Sequence, residues 1–350
     1  MDEMQSHHGL LFGGIRLVYR DTETGKCAMA MLVDGQWVEE NETKNKTDKN
    51  GAFKRTDSSF RNWVTADGAP GPSGSGGFVP ERGRYHLYIA MNCPWAHRTL
   101  LTRTFKGLED VISLDKTVPR RNDQGWYFDD EHIDNVLGLS ALHQVYTASD
   151  PDATTRVTVP VLWDRETESI VSNESAEIIR MMDGAFDAFS NNECELYPDE
   201  LSGQIDEWND LIYRTINNGV YRAGFSVAQD AYEAAVRDVF ATLDKLEVRL
   251  AENRYLCGDQ FTEADVRLFP TMIRFDVAYY GAFKCNLRRL IDYPNLWAYT
   301  REIYQMPGIA DTVDLDVYKR GYYSKSPQRN PSGVVPLGPA IDPSVPHGRG

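Results

Sequence analysis

A cysteine followed at once by proline, placed between a strand-like run and a helix-like one, constrains this chain more than any other feature. Tyr85-His86-Leu87-Tyr88-Ile89-Ala90 is apolar and β-prone, and reads as a buried strand. Met91-Asn92 closes it, and Cys93-Pro94-Trp95-Ala96-His97-Arg98 opens a helix that runs to about Lys106. Pro94 belongs at the first helical position, where its missing N–H is no loss. Cys93 then sits at or next to the N-cap, facing free backbone N–H groups and the positive end of the helix dipole. Both favour thiolate over thiol and make the residue a nucleophile. The commonest fate of a free cysteine is that of a small buried hydrophobe, but the strand before it and the proline after it argue against that here.

Ala96 occupies the place where a dithiol oxidoreductase holds its resolving cysteine. Any disulfide formed by Cys93 must therefore be resolved by a second thiol from solution, which points to exchange with a small thiol such as glutathione. His97 and Arg98 either tune the thiolate or face solvent.

The surrounding pattern is α/β. After the first strand and helix come a strand at 111–114, a long polar insertion, a strand at 157–163, a turn at 164–168, a strand at 169–172 and a helix at 174–182. The order β-α-β, then β-β-α, is that of a thioredoxin-like domain. Proline is rare inside a strand, so Val159-Pro160 is a second signal. A cis bond there would offer the Val159 N–H and C=O to a peptide-like ligand. Downstream, Ser172-Asn173-Glu174-Ser175 opens a helix whose N–H groups and Ser175 hydroxyl suit a carboxylate. Glu174 suits an ammonium. An α-amino acid end, as in a γ-glutamyl group, carries both.

Four zones result. Residues 1–78 form an extension with short strand-like pieces at 15–19 and 28–33, a polar stretch at 41–50 and a Gly/Pro/Ser-rich loop at 68–77. The aromatics Phe60 and Trp63 suggest that it packs back onto the body. Residues 79–190 form the thioredoxin-like domain. Residues 197–323 are helical by pattern, with an apolar face at Val236, Phe240, Leu243, Leu246 and Leu250 and a capping signal at Thr262 and Asp265. Residues 324–350 form a Pro/Gly-rich tail expected to wrap the surface or be disordered.

The net charge of −15 argues against a nucleic-acid partner. No apolar run approaches membrane-spanning length, and Met1-Asp2-Glu3-Met4 carries acid where a secretion signal carries base, so a cytoplasmic location is expected. Five scattered cysteines (Cys27, Cys93, Cys194, Cys257, Cys285) suggest neither a disulfide framework nor a metal site.

The motifs around Cys93, the run Thr158-Val159-Pro160-Val161-Leu162-Trp163-Asp164 and the run Ser172-Asn173-Glu174-Ser175-Ala176-Glu177 together resemble the glutathionyl-hydroquinone reductases, the Xi class of glutathione transferases. So do Phe60-Arg61-Asn62-Trp63, Asn217-Asn218-Gly219-Val220-Tyr221, Arg274-Phe275-Asp276-Val277 and Pro336-Leu337-Gly338-Pro339. The resemblance implies an α/β plus all-α fold, a thioredoxin-like N-terminal domain followed by an all-helical glutathione-transferase C-terminal domain. It implies Cys93 as nucleophile and Trp126, Arg156, Val159, Glu174 and Ser175 as glutathione contacts, with Arg156 the loosest match. It implies Tyr221, Tyr279 and Tyr322 around the quinol, Tyr221 and Tyr322 with catalytic roles, and a homodimer. The γ-glutamyl half of such a site would also take γ-glutamylcysteine. The first fifty residues, Cys27 included, match nothing. Two rivals stay open: an Omega-type thioltransferase or dehydroascorbate reductase, which shares the Cys-Pro-x-Ala pattern, and a non-catalytic interaction module on the same fold.

Overall fold

The computed structural model describes residues 31–38, 48, 50–53 and 57–350. The expected strand at 15–19, most of the polar stretch at 41–50 and Cys27 lie outside them. The strand β3 (Tyr85–Ile89) is buried at all five residues, as expected of a strand covered on both faces. It is a central strand of a four-stranded sheet completed by β4 (Ser113–Lys116), β7 (Val161–Asp164) and β8 (Ser169–Ser172), in the order β4-β3-β7-β8, while the two-residue strands β5 (Arg121–Asn122) and β6 (Gly125–Trp126) pair in a separate hairpin. β3 pairs parallel with β4 through the crossover helix α1 (Pro94–Phe105), and antiparallel with β7. On one face α1 lies against α3 (Ser175–Gly184); the helix α2 (Leu142–Ser149) packs near β8.

Two expected strands are corrected in extent. Residues 111–112 close the end of α1, their N–H groups both bonded to the Leu108 carbonyl, so β4 begins only at Ser113. Residues 157–160 stay outside the ladder because proline has no N–H to donate, and β7 begins at Val161. The Val159-Pro160 bond is cis.

The second body is helical. Helix α4 (Ser202–Ile212) runs through a π turn (Tyr213–Asn217) into α5 (Gly219–Phe225). Helix α6 (Gln229–Glu252) buries Val236, Phe240, Leu243, Leu246 and Leu250, the apolar face seen in the sequence. Helix α7 (Glu263–Met272) leads into a second π turn (Phe275–Tyr279), followed by α8 (Pro294–Tyr304) and α9 (Leu315–Tyr322). The Asp265 carboxylate accepts from the Thr262 N–H at 2.9 Å and from its hydroxyl at 3.0 Å. It also accepts from the Leu256 N–H and Tyr299 hydroxyl, so the capping signal doubles as a buried polar node.

The C-terminal tail and the described part of the N-terminal extension are both stitched down. The tail wraps the helical body: Arg349 donates to the Leu250, Asn253 and Arg254 carbonyls and pairs with Glu302. Phe60 meets Tyr146 edge-on at 5.5 Å, Arg61 bridges to Ser172 at the end of β8 and its guanidinium pairs with Glu177, which fixes the extension along the sheet edge. Further upstream, β1 (Met31–Val33) and β2 (Gln36–Val38) form a hairpin. Leu32 exchanges two backbone hydrogen bonds with Thr155, and Trp37 stacks on His143 at 4.6 Å. The Trp37 indole covers Gly125, where a Cβ would come within 2.8 Å of the ring.

Candidate active site

Cys93 is the N-cap of α1, with φ −83° and ψ 118°, and Pro94 follows at the first helical position. The Cys93 carbonyl accepts the His97 N–H at 3.0 Å, starting the helix, while its own N–H returns to Ala90 at 2.9 Å. Its Sγ is half-buried and lies 3.7 Å from the Val159 carbonyl oxygen. The strand-end cysteine and the loop before β7 therefore meet at one point, as the thioredoxin-like order requires.

Around this sulfur opens a cavity of about 990 Å³. It brings together Cys93, Trp126, Arg156, Val159, Glu174 and Ser175 on the thioredoxin-like side, with Tyr221 and Tyr322 on the helical side. Glu174 is the N-cap of α3: its carboxylate accepts from the Ala176 N–H at 3.1 Å and from the Ser58 hydroxyl at 2.9 Å. One helix-end N–H expected to meet a ligand carboxylate is thus engaged by Glu174 itself. The Trp126 indole is buried beneath the Arg121 guanidinium, 4.6 Å from the ring centre.

The three tyrosines form one chain of hydroxyls centred on Tyr322, 2.7 Å from Tyr221 and 3.0 Å from Tyr279. Tyr279 is 0% exposed and does not line the cavity; it stands behind Tyr322. Burial, with the neighbouring Tyr221, pushes both Tyr279 and Tyr322 well above the ordinary phenol range, so both stay neutral.

Sequence reasoning left His97 and Arg98 between tuning the thiolate and facing solvent. Both are buried. Arg98 donates to the Asn217 side chain at 2.6 Å, and the His97 Nε2 meets the Thr312 hydroxyl at 2.9 Å, so both tie α1 to the helical body. Arg274 is the residue that the sequence reading missed. Fully buried, its guanidinium donates to the Met91 carbonyl at 2.9 Å and the Asn92 carbonyl at 3.4 Å, the two residues before Cys93. It also reaches the Pro270 carbonyl and stacks over Tyr318 at 3.6 Å. The signal was present in Arg274-Phe275-Asp276-Val277, but nothing local says where an arginine points. Ser58 and Asp57, from the extension, also line the cavity and were not anticipated.

Among the four described cysteines only Cys93 lines the cavity. Burial raises the Cys194 thiol and pushes Cys257 up to about 11 and Cys285 up to about 12. Among the described residues no cluster of His, Cys, Asp or Glu could hold a metal ion, and no helix is long and apolar enough to cross a membrane.

Comparison with known proteins bears on this geometry. The glutathione S-transferase N-terminal domain family matches residues 92–185, and the corresponding C-terminal domain family matches residues 229–302. The chain is 49% identical over 326 residues to the glutathionyl-hydroquinone reductase YqjG of Escherichia coli K12, covering 92% of this chain and 98% of that one. The glutathione-bound structure of that protein superposes with a TM-score of 0.81 at 51% identity, over 83% of this chain and 96% of the other. A Xi class transferase from Natrialba magadii superposes with a TM-score of 0.83 at 44% identity, over 93% and 97%.

Proposed function

The chain belongs to the glutathionyl-hydroquinone reductase family, the Xi class of glutathione transferases, and from that premise we propose that it uses glutathione to reduce glutathionyl-hydroquinones through a mixed disulfide on Cys93. The observation that carries this reading is one cysteine-bearing helix N-terminus opening into a cavity with Glu174 and Ser175 on one side and phenol hydroxyls on the other.

In the first half-reaction the Cys93 thiolate attacks the sulfur of the conjugate. An S–S bond forms, the sulfur–aryl carbon bond breaks, and its electron pair passes to the ring carbon, which takes up a proton. Hydroquinone leaves and Cys93 carries a glutathionyl group. In the second, a glutathione thiolate attacks that group, Cys93 returns as thiolate, and glutathione disulfide departs. The ring is reduced by two electrons while two glutathionyl sulfurs are oxidised to one disulfide. With Ala96 in the position of a resolving cysteine, the second thiol comes from solution.

Glu174, oriented by Ser58 and its own helix, takes the ammonium of the γ-glutamyl group, and Ser175 and the N-terminus of α3 take its carboxylate. Val159 pairs with the cysteinyl backbone, Trp126 covers the tripeptide, and Arg156 receives the glycyl carboxylate. Tyr221 and Tyr322 offer hydroxyls to the hydroquinone oxygens, while Tyr279 acts through Tyr322. A cytoplasmic homodimer belongs to the same reading.

Single-turnover mass spectrometry tests it. The reduced protein mixed with a glutathionyl-hydroquinone, without free glutathione, should gain one glutathionyl mass on Cys93 and release hydroquinone. No adduct from the conjugate, with adduct from a simple glutathione mixed disulfide, would instead mark a thioltransferase.

A further inference from the structure

The walls of the cavity differ in charge. All four acidic residues that line it, Asp57, Asp129, Glu131 and Glu174, come from the glutathione side, where they offset Arg120, Arg121 and Arg156. The helical and C-terminal side contributes Arg320, Lys325 and Arg329 and no acid at all. In a chain of net charge −15 this runs against the average surface.

The three cations are not equivalent. Arg320 is neutralised by Asp316, one helical turn away, at 2.5 Å. Lys325 and Arg329 have no carboxylate partner among the described residues. Arg329 instead lies over the Phe225 ring at 4.4 Å and near Phe283 at 5.7 Å. Phe283 in turn meets Tyr221 at 5.3 Å and Tyr322 at 5.4 Å. The guanidinium thus borders the aromatic wall that continues into the tyrosine hydroxyls. Its carrier is a pinned loop: Ser326 and Asn330 exchange two backbone hydrogen bonds at 3.0 Å, and Asn330 holds the Tyr323 carbonyl. A cation held in place next to aromatic rings is preorganised for an arene bearing a negative group, because the ring stacks while the charge is met.

We propose that the quinol half of the cavity is built for hydroquinone conjugates that carry an anionic substituent, a carboxylate or sulfonate on the ring, with Arg329 and Lys325 as the residues that set this preference. The inference rests on the reductase reading above. A neutral hydroquinone would stack on the same rings and leave both cations without an anionic partner. An anionic one would pair with them and be drawn into the cavity by the local positive field, against the repulsion of the remaining surface.

The test compares kcat/KM for the glutathionyl conjugates of unsubstituted hydroquinone and of 2,5-dihydroxybenzoate, in the wild-type protein and in R329Q/K325Q, at low and high salt. The carboxylated conjugate should be favoured by about tenfold at low salt, as two partly exposed charge pairs allow. That ratio should fall towards one in the double variant and at high salt. A wild-type ratio of one or less, or a ratio unmoved by the double substitution, overturns the inference while leaving the reductase reading in place. If neither conjugate is reduced, the reductase reading fails. Fluorescence titration of Cys93→Ser with 2,5-dihydroxybenzoate then judges the site alone. Saturable, salt-sensitive binding that is lost when R329Q/K325Q is added upholds it; absence of binding overturns it.

Discussion

Arg274 Nη1 lies 2.8 Å from His97 Nδ1, and this contact joins the helix that carries the nucleophile to the helical body. The guanidinium can only donate, so His97 Nδ1 accepts and the proton sits on Nε2, directed at the Thr312 hydroxyl. That hydroxyl in turn donates a hydrogen bond to the Ile309 carbonyl at 2.6 Å. The same guanidinium holds the carbonyls of Met91 and Asn92, so the loop entering Cys93 is fixed from behind by a residue 181 positions further along the chain.

Replacing Arg274 should therefore disturb Cys93 without touching it. Arg274→Gln leaves buried carbonyls without a donor, at about 1–3 kcal/mol for each unsatisfied group. Arg274→Lys keeps the charge but cannot reproduce the planar fork. In the folded Lys variant, Cys93 alkylation and kcat should both fall, by about tenfold or more, with a smaller change in KM for glutathione. Unchanged alkylation of Cys93 in a folded Arg274→Lys protein would show that the arginine only supports the fold.

His97 makes stability sensitive to acid. Burial, and then the facing Arg274, hold its imidazole well below the ordinary histidine range, so it stays neutral in the folded protein. The unfolded chain takes up the proton near pH 6.5. Stability is then fully present above about pH 6.5 and is lost as pH falls below it, by up to about 1.4 kcal/mol per pH unit from this group. Urea unfolding at pH 7.5 and pH 5.5 should show a smaller loss in His97→Gln than in the wild type. Equal losses would mean that carboxylates alone account for acid sensitivity.

Thiol labelling should be selective. Cys257 and Cys285 are buried with thiols pushed up to about 11 and about 12, and burial also raises Cys194. Cys93 sits at a helix N-terminus on the cavity wall. Under native conditions at pH 7, iodoacetamide should label Cys93 at least about tenfold faster than these three. Mass spectrometry of digests reads this directly, and equal labelling of the four would remove the case for an activated nucleophile.

The tyrosines should not contribute equally. Tyr221→Phe and Tyr322→Phe each remove a hydroxyl from the cavity wall, and kcat/KM for the quinol conjugate should fall by about ten- to a hundredfold. Tyr279→Phe removes a hydroxyl that stands behind Tyr322 and does not line the cavity, so its effect should stay within a few-fold. If Tyr279→Phe matched Tyr322→Phe in steady-state kinetics, the hydroxyl chain would have to act as a unit.

The sequence by itself determined the local chemistry. A proline after Cys93 fixes the start of α1, alternating strands and helices fix the thioredoxin-like order, and the spacing of Val236, Phe240, Leu243, Leu246 and Leu250 fixes the buried face of α6. These follow from short-range sterics, helix capping and periodicity, which a chain carries in neighbouring residues. The ladder's true start at Val161 lay close to the reading, shifted because proline cannot donate. Tertiary structure alone decided the rest. It set Arg274 behind Cys93, withdrew Tyr279 behind Tyr322, turned His97 and Arg98 inward and laid Trp37 over Gly125 beside Trp126. It also gathered Lys325 and Arg329 on one wall. Each of these depends on residues tens to hundreds of positions apart meeting through packing, and no local propensity encodes where a long side chain finds its partner.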